Sequence, residues 1–209
     1  MELSVALLSI AGALTLGAMS PGPSFILVAR TSIAVSRQDG LAAAVGMGVG
    51  GVVFSIIALL GLLAILAAVP LLHLVLKVLG GAYLFYLGYR IWRGAQQPLV
   101  LAGTTREGSP TRVWHSFALG IATQVSNPKT AVVYASVFAS LLPRDVPSFV
   151  LVALPIMIFA IETTWYSVVA LALSAPSPRA RYLASKAWLD RTAGAIMSLL
   201  GLKLIFDTQ

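Results

Sequence analysis

Ser20-Pro21-Gly22-Pro23 lies inside an otherwise apolar segment that runs from about residue 3 to residue 29. Proline removes a backbone donor and clashes with the preceding turn, and glycine adds conformational freedom, so a regular helix does not pass through this stretch. In lipid, the carbonyls freed by such a break must be satisfied within the protein or around a water-filled cavity. A second break, Ser126-Asn127-Pro128-Lys129, interrupts another apolar segment in the other half of the chain. Interrupted membrane helices in corresponding positions of two halves point to a transporter's binding site.

Composition sets the class. Of 209 residues, 58% are hydrophobic and 10% charged, where a soluble domain carries roughly 25% charged residues. Six apolar segments can be read, about 3–29, 41–69, 71–92, 114–141, 148–175 and 188–206. Each meets the ~20-residue requirement for a span. Val69-Pro70-Leu71 leaves room only for a tight hairpin between the second and third, and Pro143-Arg144-Asp145-Val146-Pro147 for a short turn between the fourth and fifth. The segment 93–113, rich in Gly, Gln, Thr and Arg, reads as a cytoplasmic connector. Met1-Glu2-Leu3 lacks the basic start of a signal peptide, so the first segment is expected to be a retained span.

The absence of cysteine excludes disulfides, thiolate metal sites and thiol redox chemistry. His73 and His115 sit at the edges of apolar segments, which argues against a histidine-rich metal site in the membrane, and no cofactor is expected. The net charge of +7 is scattered among loops, so it reads as topogenic charge and not as a nucleic-acid surface. Arg30, Arg37, Arg90, Arg93, Arg106, Arg112, Arg179, Arg181, Lys186 and Arg191 fall on the first, third and fifth connections; Lys77, Arg144 and Lys203 fall on the other side. By the positive-inside rule the odd connections are cytoplasmic and both termini face outward.

The halves resemble each other. Gly81-Ala82, Gly88 and Arg90 recur as Gly194-Ala195, Gly201 and Lys203 with identical spacing, and the two breaks correspond. Three spans separate each pair, so the repeat is inverted, as in many secondary transporters. The expected fold is therefore an all-α integral membrane protein with six transmembrane helices, an inverted-topology 3+3 repeat whose first and fourth helices are broken. One transmembrane domain covers 1–209, with a first three-helix repeat over 1–92, a cytoplasmic loop over 93–113 and a second, inverted repeat over 114–209. Ala42, Gly46 and Gly50, four apart, form a packing face within the bundle or at a dimer contact.

The breaks also carry the chemistry. Ser20 can cap a restarted helix with proline just inside it, and Ser126 or Asn127 can do the same ahead of Pro128. Two half-helix N-termini facing each other at mid-membrane make an anion site suited to a carboxylate. Lys129 follows the second break, where a cation is costly and usually functional. Glu162 is the one acidic residue well inside an apolar segment. It is a candidate to bind an ammonium, to carry a coupling proton or to pair with Lys129. Thr163, Thr164, Trp165 and Tyr166 follow it and could line the same cavity, and Gln124 and Tyr134 lie near the second break. The candidate substrate-binding set is thus Ser20, Pro21, Gly22, Pro23, Gln124, Ser126, Asn127, Pro128, Lys129, Tyr134, Glu162 and Trp165, with Glu162 as the proton-coupling group. Lys77 either snorkels to the outer surface or guards an exit.

These motifs, with Arg37-Gln38-Asp39-Gly40-Leu41 entering the second span and Gly81-Ala82-Tyr83-Leu84 with Gly88 in the third, resemble the lysine exporter (LysE) family. Within it the chain is most similar to the homoserine/threonine-resistance (RhtB) branch, over nearly its whole length. The resemblance implies a bacterial inner-membrane amino-acid exporter of six spans, driven by the proton gradient and able to form a homodimer. The family's SPGP and NPK elements fall on Ser20 to Pro23 and on Asn127, Pro128 and Lys129. Many relatives carry a histidine near the middle of the second span, where this chain has Phe54-Ser55. Any proton role of that histidine must then pass to Glu162 or another group.

The leading expectation is a secondary exporter of neutral or basic amino acids, such as threonine, homoserine or lysine, working by proton antiport in the lipid bilayer. A passive channel or facilitator for small metabolites, or an exporter of a non-amino-acid substrate or metal ion, are the alternatives. No serine–lysine pair, metal-ligand set or cysteine pair stands out to support an intramembrane enzyme.

Overall fold

Both proline-bearing breaks separate helices. The computed structural model describes residues 3–68, 72–97, 113–143 and 146–206. Among these, eight helices follow one another: α1 (Leu3–Met19), α2 (Pro23–Ala34), α3 (Arg37–Ala68), α4 (Leu72–Gly94), α5 (Val113–Val125), α6 (Pro128–Leu141), α7 (Val150–Leu173) and α8 (Pro176–Phe206). No strand occurs among the described residues. The expected hairpin turn at 69–71, most of the connector 93–113, the turn residues 144 and 145 and the side chain of Lys77 lie outside them.

The first break bends the chain by 55°. A residue before proline is pushed out of the helical region, and Pro21 and Pro23 apply that restriction to Ser20 and Gly22. Gly22 is fully extended at φ −155° and ψ −171°, and the helix resumes at Pro23. Ser20 is therefore not the cap of the second half-helix, contrary to the sequence expectation. Gly22 takes that place and offers no side-chain cap. At the second break the cap is Asn127: its Oδ1 accepts from the Lys129 backbone N–H at 3.0 Å, with Pro128 in the first turn.

Beside a buried apolar core, many large apolar residues are exposed and several polar ones are buried. Leu8, Leu60, Val152, Ile156 and Leu199 are exposed, whereas Ser24, Gln124, Asn127 and Glu162 are buried. An exterior this apolar suits a chain surrounded by lipid. By length and composition, α3 and α7 are able to cross a membrane, and the bent pair α1–α2 makes a third candidate among the described residues. Helices α5 and α6, with 13 and 14 residues, are each too short to span alone.

Small residues decide which helices touch. On α3, a Cβ at Gly46 would strike the backbone of Phe117 and Gly120, and one at Gly50 would lie 2.7 Å from Gln124 Cβ. Gly46 and Gly50 thus pack inside the molecule, against α5. Helices α4 and α8 meet through two glycine pairs in a reciprocal pattern. Gly81 lies against Gly201 and Gly88 against Gly194, each so close that a side chain would run into the partner's carbonyl. Close backbone approach of this kind is a main source of helix association in membranes. Among the described residues α4 packs mainly on α8 and α6 and little on α3.

The entry to α3 shows what Arg37-Gln38-Asp39-Gly40-Leu41 is for. Asp39 N–H donates to Ser36 Oγ at 3.1 Å, Ser36 Oγ donates to Asp39 Oδ2 at 2.6 Å, and Ser116 Oγ on α5 donates to Asp39 Oδ1 at 2.8 Å. The Ser36 hydroxyl thus takes a first-turn N–H of α3, and the Asp39 carboxylate holds that hydroxyl and ties α3 to α5. Helix α8 begins at Pro176, well before the apolar segment expected from residue 188. Prolines are tolerated in a first turn, so Pro176 and Pro178 open this helix instead of marking a loop. The early start places Lys186 and Asp190 within α8.

Candidate functional site

The two breaks meet. Ser24, just inside α2, donates from Oγ to Gln124 Oε1 at 2.6 Å and accepts from Asn127 Nδ2 at 2.9 Å. All three residues are buried, so the bonds lock the start of α2 to the end of α5 and the start of α6. Buried polar groups fully engaged in this way specify one geometry.

Lys129 crosses from the second break to the first. Its Nζ donates to Ser20 O at 2.6 Å and to Gly17 O at 2.9 Å, the carbonyls that α1 leaves unpaired where it ends. A cation at a helix C-terminus is favoured by the helix dipole and by the orphan carbonyls together. The side chain runs close over Gly22, where an added Cβ would sit 3.3 Å from Lys129 Cδ.

Glu162 on α7 is buried and accepts from Tyr134 Oη at 2.8 Å through Oε1. Its other oxygen, Oε2, is buried with no hydrogen-bond partner among the described residues. Lys129 and Glu162 are thus not directly paired, although their charges interact across the site. A buried carboxylate oxygen without a partner is costly, and a protein retains one where a ligand or proton is to be met.

Two cavities adjoin this constellation. The smaller, about 20 Å³, lies among Ser20, Gly22, Ser24, Asn127, Lys129, Tyr134, Glu162 and Tyr166. That is room for about one water molecule. The larger, about 580 Å³ and open, is lined by Ser20 to Pro23, Pro128, Lys129, Arg90, Lys186 and Asp190 among others. It opens toward the end of the bundle where α4 finishes and α8 begins. Ser20, Gly22 and Lys129 line both, so the first break and the Lys129 side chain form the partition between them.

Of the residues expected from sequence, Ser20, Pro21, Gly22, Pro23, Asn127, Pro128, Lys129, Tyr134 and Glu162 line one cavity or the other, and Gln124 braces the wall. Ser126 and Trp165 do not join them. Ser126 is exposed, and its Oγ bonds back to Ala122 O at 2.7 Å, a helix-internal contact. Trp165 packs in the apolar cluster of Phe25, Val28, Met47 and Val169, while Tyr166, one residue on, lines the smaller cavity. Sequence reasoning missed Ser24 and Asp190, whereas it named Tyr166 among the residues able to line the cavity with Glu162. The four-residue spacing of Tyr166 from Glu162 places both on one helix face.

No group of three or more His, Asp or Glu residues able to hold a metal ion occurs among the described residues. The broken helices, the buried polar site at their junction and the lipid-suited exterior define a membrane transporter. A profile of the LysE type translocator family matches residues 15–208, and the chain belongs to that family. It is 31% identical over 189 residues to the threonine efflux protein of Escherichia coli K12, spanning 90% of this chain and 92% of the relative. The threonine efflux protein of Salmonella typhi is 32% identical over the same shares, and an uncharacterized membrane protein of Haemophilus influenzae is 26% identical over 193 residues, 91% of each chain. No solved structure matches.

Proposed function

We propose that this protein is a proton-coupled exporter of amino acids, with threonine the first substrate to test, in the bacterial inner membrane. The unpartnered Oε2 of Glu162, facing a site walled by two helix breaks, carries the reading. In the cycle, the substrate carboxylate docks at the α2 and α6 N-termini beside Lys129, where backbone N–H groups and a fixed cation converge. Glu162 takes the substrate ammonium in one state and a proton in the other.

The architecture behind the cycle is six spans in two inverted repeats, 1–92 and 114–209, joined by the cytoplasmic segment 93–113, with both termini outside. The reciprocal glycine contacts support it: Gly81 and Gly88 on α4 correspond in sequence to Gly194 and Gly201 on α8, and the contacts exchange partners as a two-fold axis requires. The repeats rock about the junction of the breaks, and coupling follows from a difference in proton and substrate affinity between the inward and outward states.

Efflux of labelled L-threonine from proteoliposomes of purified protein, with and without an acidic exterior, tests the reading. An inward proton gradient should accelerate wild-type efflux, and Glu162→Gln should abolish the acceleration. Gradient-independent flux would favour a facilitator. No flux of threonine or of any other amino acid in a panel would overturn the assignment.

A further inference from the structure

In this conformation the space between Lys129 and Glu162 holds about 20 Å³, so an amino acid cannot lie there. The open cavity of about 580 Å³ can take one, within the usual size of small-molecule sites. Its wall carries a feature that the export mechanism above does not use. Lys186 Nζ and Asp190 Oδ2 on α8 are 2.7 Å apart, and both residues are buried. Lys186 also reaches Ala95 O, at 3.4 Å. Lys129 lines the same cavity, near enough for its charge to act on Asp190. The cavity therefore presents Lys129, Asp190 and Lys186 as an alternation of positive, negative and positive charge.

Burying an ion pair costs desolvation that its own attraction often fails to repay. A structural tie between α4 and α8 is already made by the glycine pairs Gly81–Gly201 and Gly88–Gly194. The complement of the charge pattern is a zwitterion. An α-ammonium fits Asp190, and an α-carboxylate fits Lys186 or Lys129 on either side of it.

We infer that Lys186 and Asp190 form a loading station for zwitterionic amino acids in the open cavity, ahead of the site between the helix breaks. This rests on the export reading. Asp190 accepts the substrate ammonium while Lys129 still holds the α1 carbonyls. Transfer inward then requires Lys129 to release Gly17 O and Ser20 O, and the arriving carboxylate gives it a new partner.

The test separates entry from turnover. In proteoliposomes of fixed orientation, threonine efflux is measured against internal concentration for wild type, Asp190→Asn, Asp190→Glu and Lys186→Gln. Asp190→Asn should raise the internal KM by about tenfold with maximal rate largely kept, as loss of one charged hydrogen bond implies. Asp190→Glu should recover most of it, and the KM for entry from the opposite face should not move. Equilibrium binding to detergent-solubilised protein supplies a readout independent of flux. Wild type should bind threonine better than threonine methyl ester or the hydroxy acid lacking the ammonium, and Asp190→Asn should lose the preference over the hydroxy acid. An unchanged internal KM and unchanged binding selectivity in Asp190→Asn, with only a lowered melting temperature, would reduce the pair to a structural tie. Absence of gradient-driven threonine flux in wild type, with zwitterion binding that still depends on Asp190, would break the export reading and leave the station standing.

Discussion

The two helix breaks are built from similar residues and held by different means. The second is self-sufficient: Asn127 caps α6 with its own side chain, and Pro128 occupies the first turn. The first is not. Gly22 supplies no side chain, and the carbonyls of Gly17 and Ser20 are satisfied by Lys129, more than a hundred residues away. One break thus supplies its own cap, and the other depends on a cation from the far half of the chain. A transporter needs this combination, because a site made wholly of self-satisfied backbone would have no reason to change between states.

The largest effect that would break the contrast comes from Lys129. Lys129→Met keeps most of the side-chain volume and removes two charged hydrogen bonds from the end of α1. Efflux should fall by on the order of a hundredfold, since each such bond is worth about 1.5–3 kcal/mol. The melting temperature of the solubilised protein should fall as well. Asn127→Ala should come next. It removes the α6 cap and the donor to Ser24, costing about 1 kcal/mol for the cap alone, read as a lower melting temperature and a several-fold slower efflux. Gly22→Ala should be milder than its place in the motif implies. Its extended backbone suits any residue, and the new methyl lies 3.3 Å from Lys129 Cδ, a contact that a shift of a few tenths of an ångström relieves, so stability should change by about 0.5 kcal/mol or less. Ser126→Ala should be smallest, with efflux within about twofold of wild type, because its hydroxyl turns back onto its own helix. A severe loss from Ser126→Ala would mean that the second break presents a different face to the site.

The breaks were legible in the sequence because proline acts on its own backbone and on the residue before it. Glu162 was legible as a lone carboxylate in an apolar run. What Lys129 binds was not legible. The carbonyls of Gly17 and Ser20 are backbone groups with no residue signature, and only the packing of α1 on α6 brings them within reach. Ser24 was hidden for a related reason, since its role depends on Gln124 and Asn127 lying opposite. Ser20 was assigned as a cap because its side chain suits one, but the alternation of prolines moved the helix start to Pro23. Asp190 stood near the start of the expected 188–206 segment with Lys186 outside it, and only the earlier helix start at Pro176 sets the two one turn apart on α8.

The central claim is that the breaks form one site through which substrate passes. The chain has no cysteine, so Ser24→Cys and Asn127→Cys make the only reactive pair, and the unreacted double variant sets the baseline rate after loss of the Asn127 cap. A short bifunctional thiol reagent is then applied to proteoliposomes, with the joined peptides identified by mass spectrometry and threonine efflux followed in the same sample. The account predicts that the link forms within one chain and stops efflux, while either single variant treated alike keeps transporting. A link that forms and leaves efflux unchanged, or a pair that the reagent never joins, would contradict it.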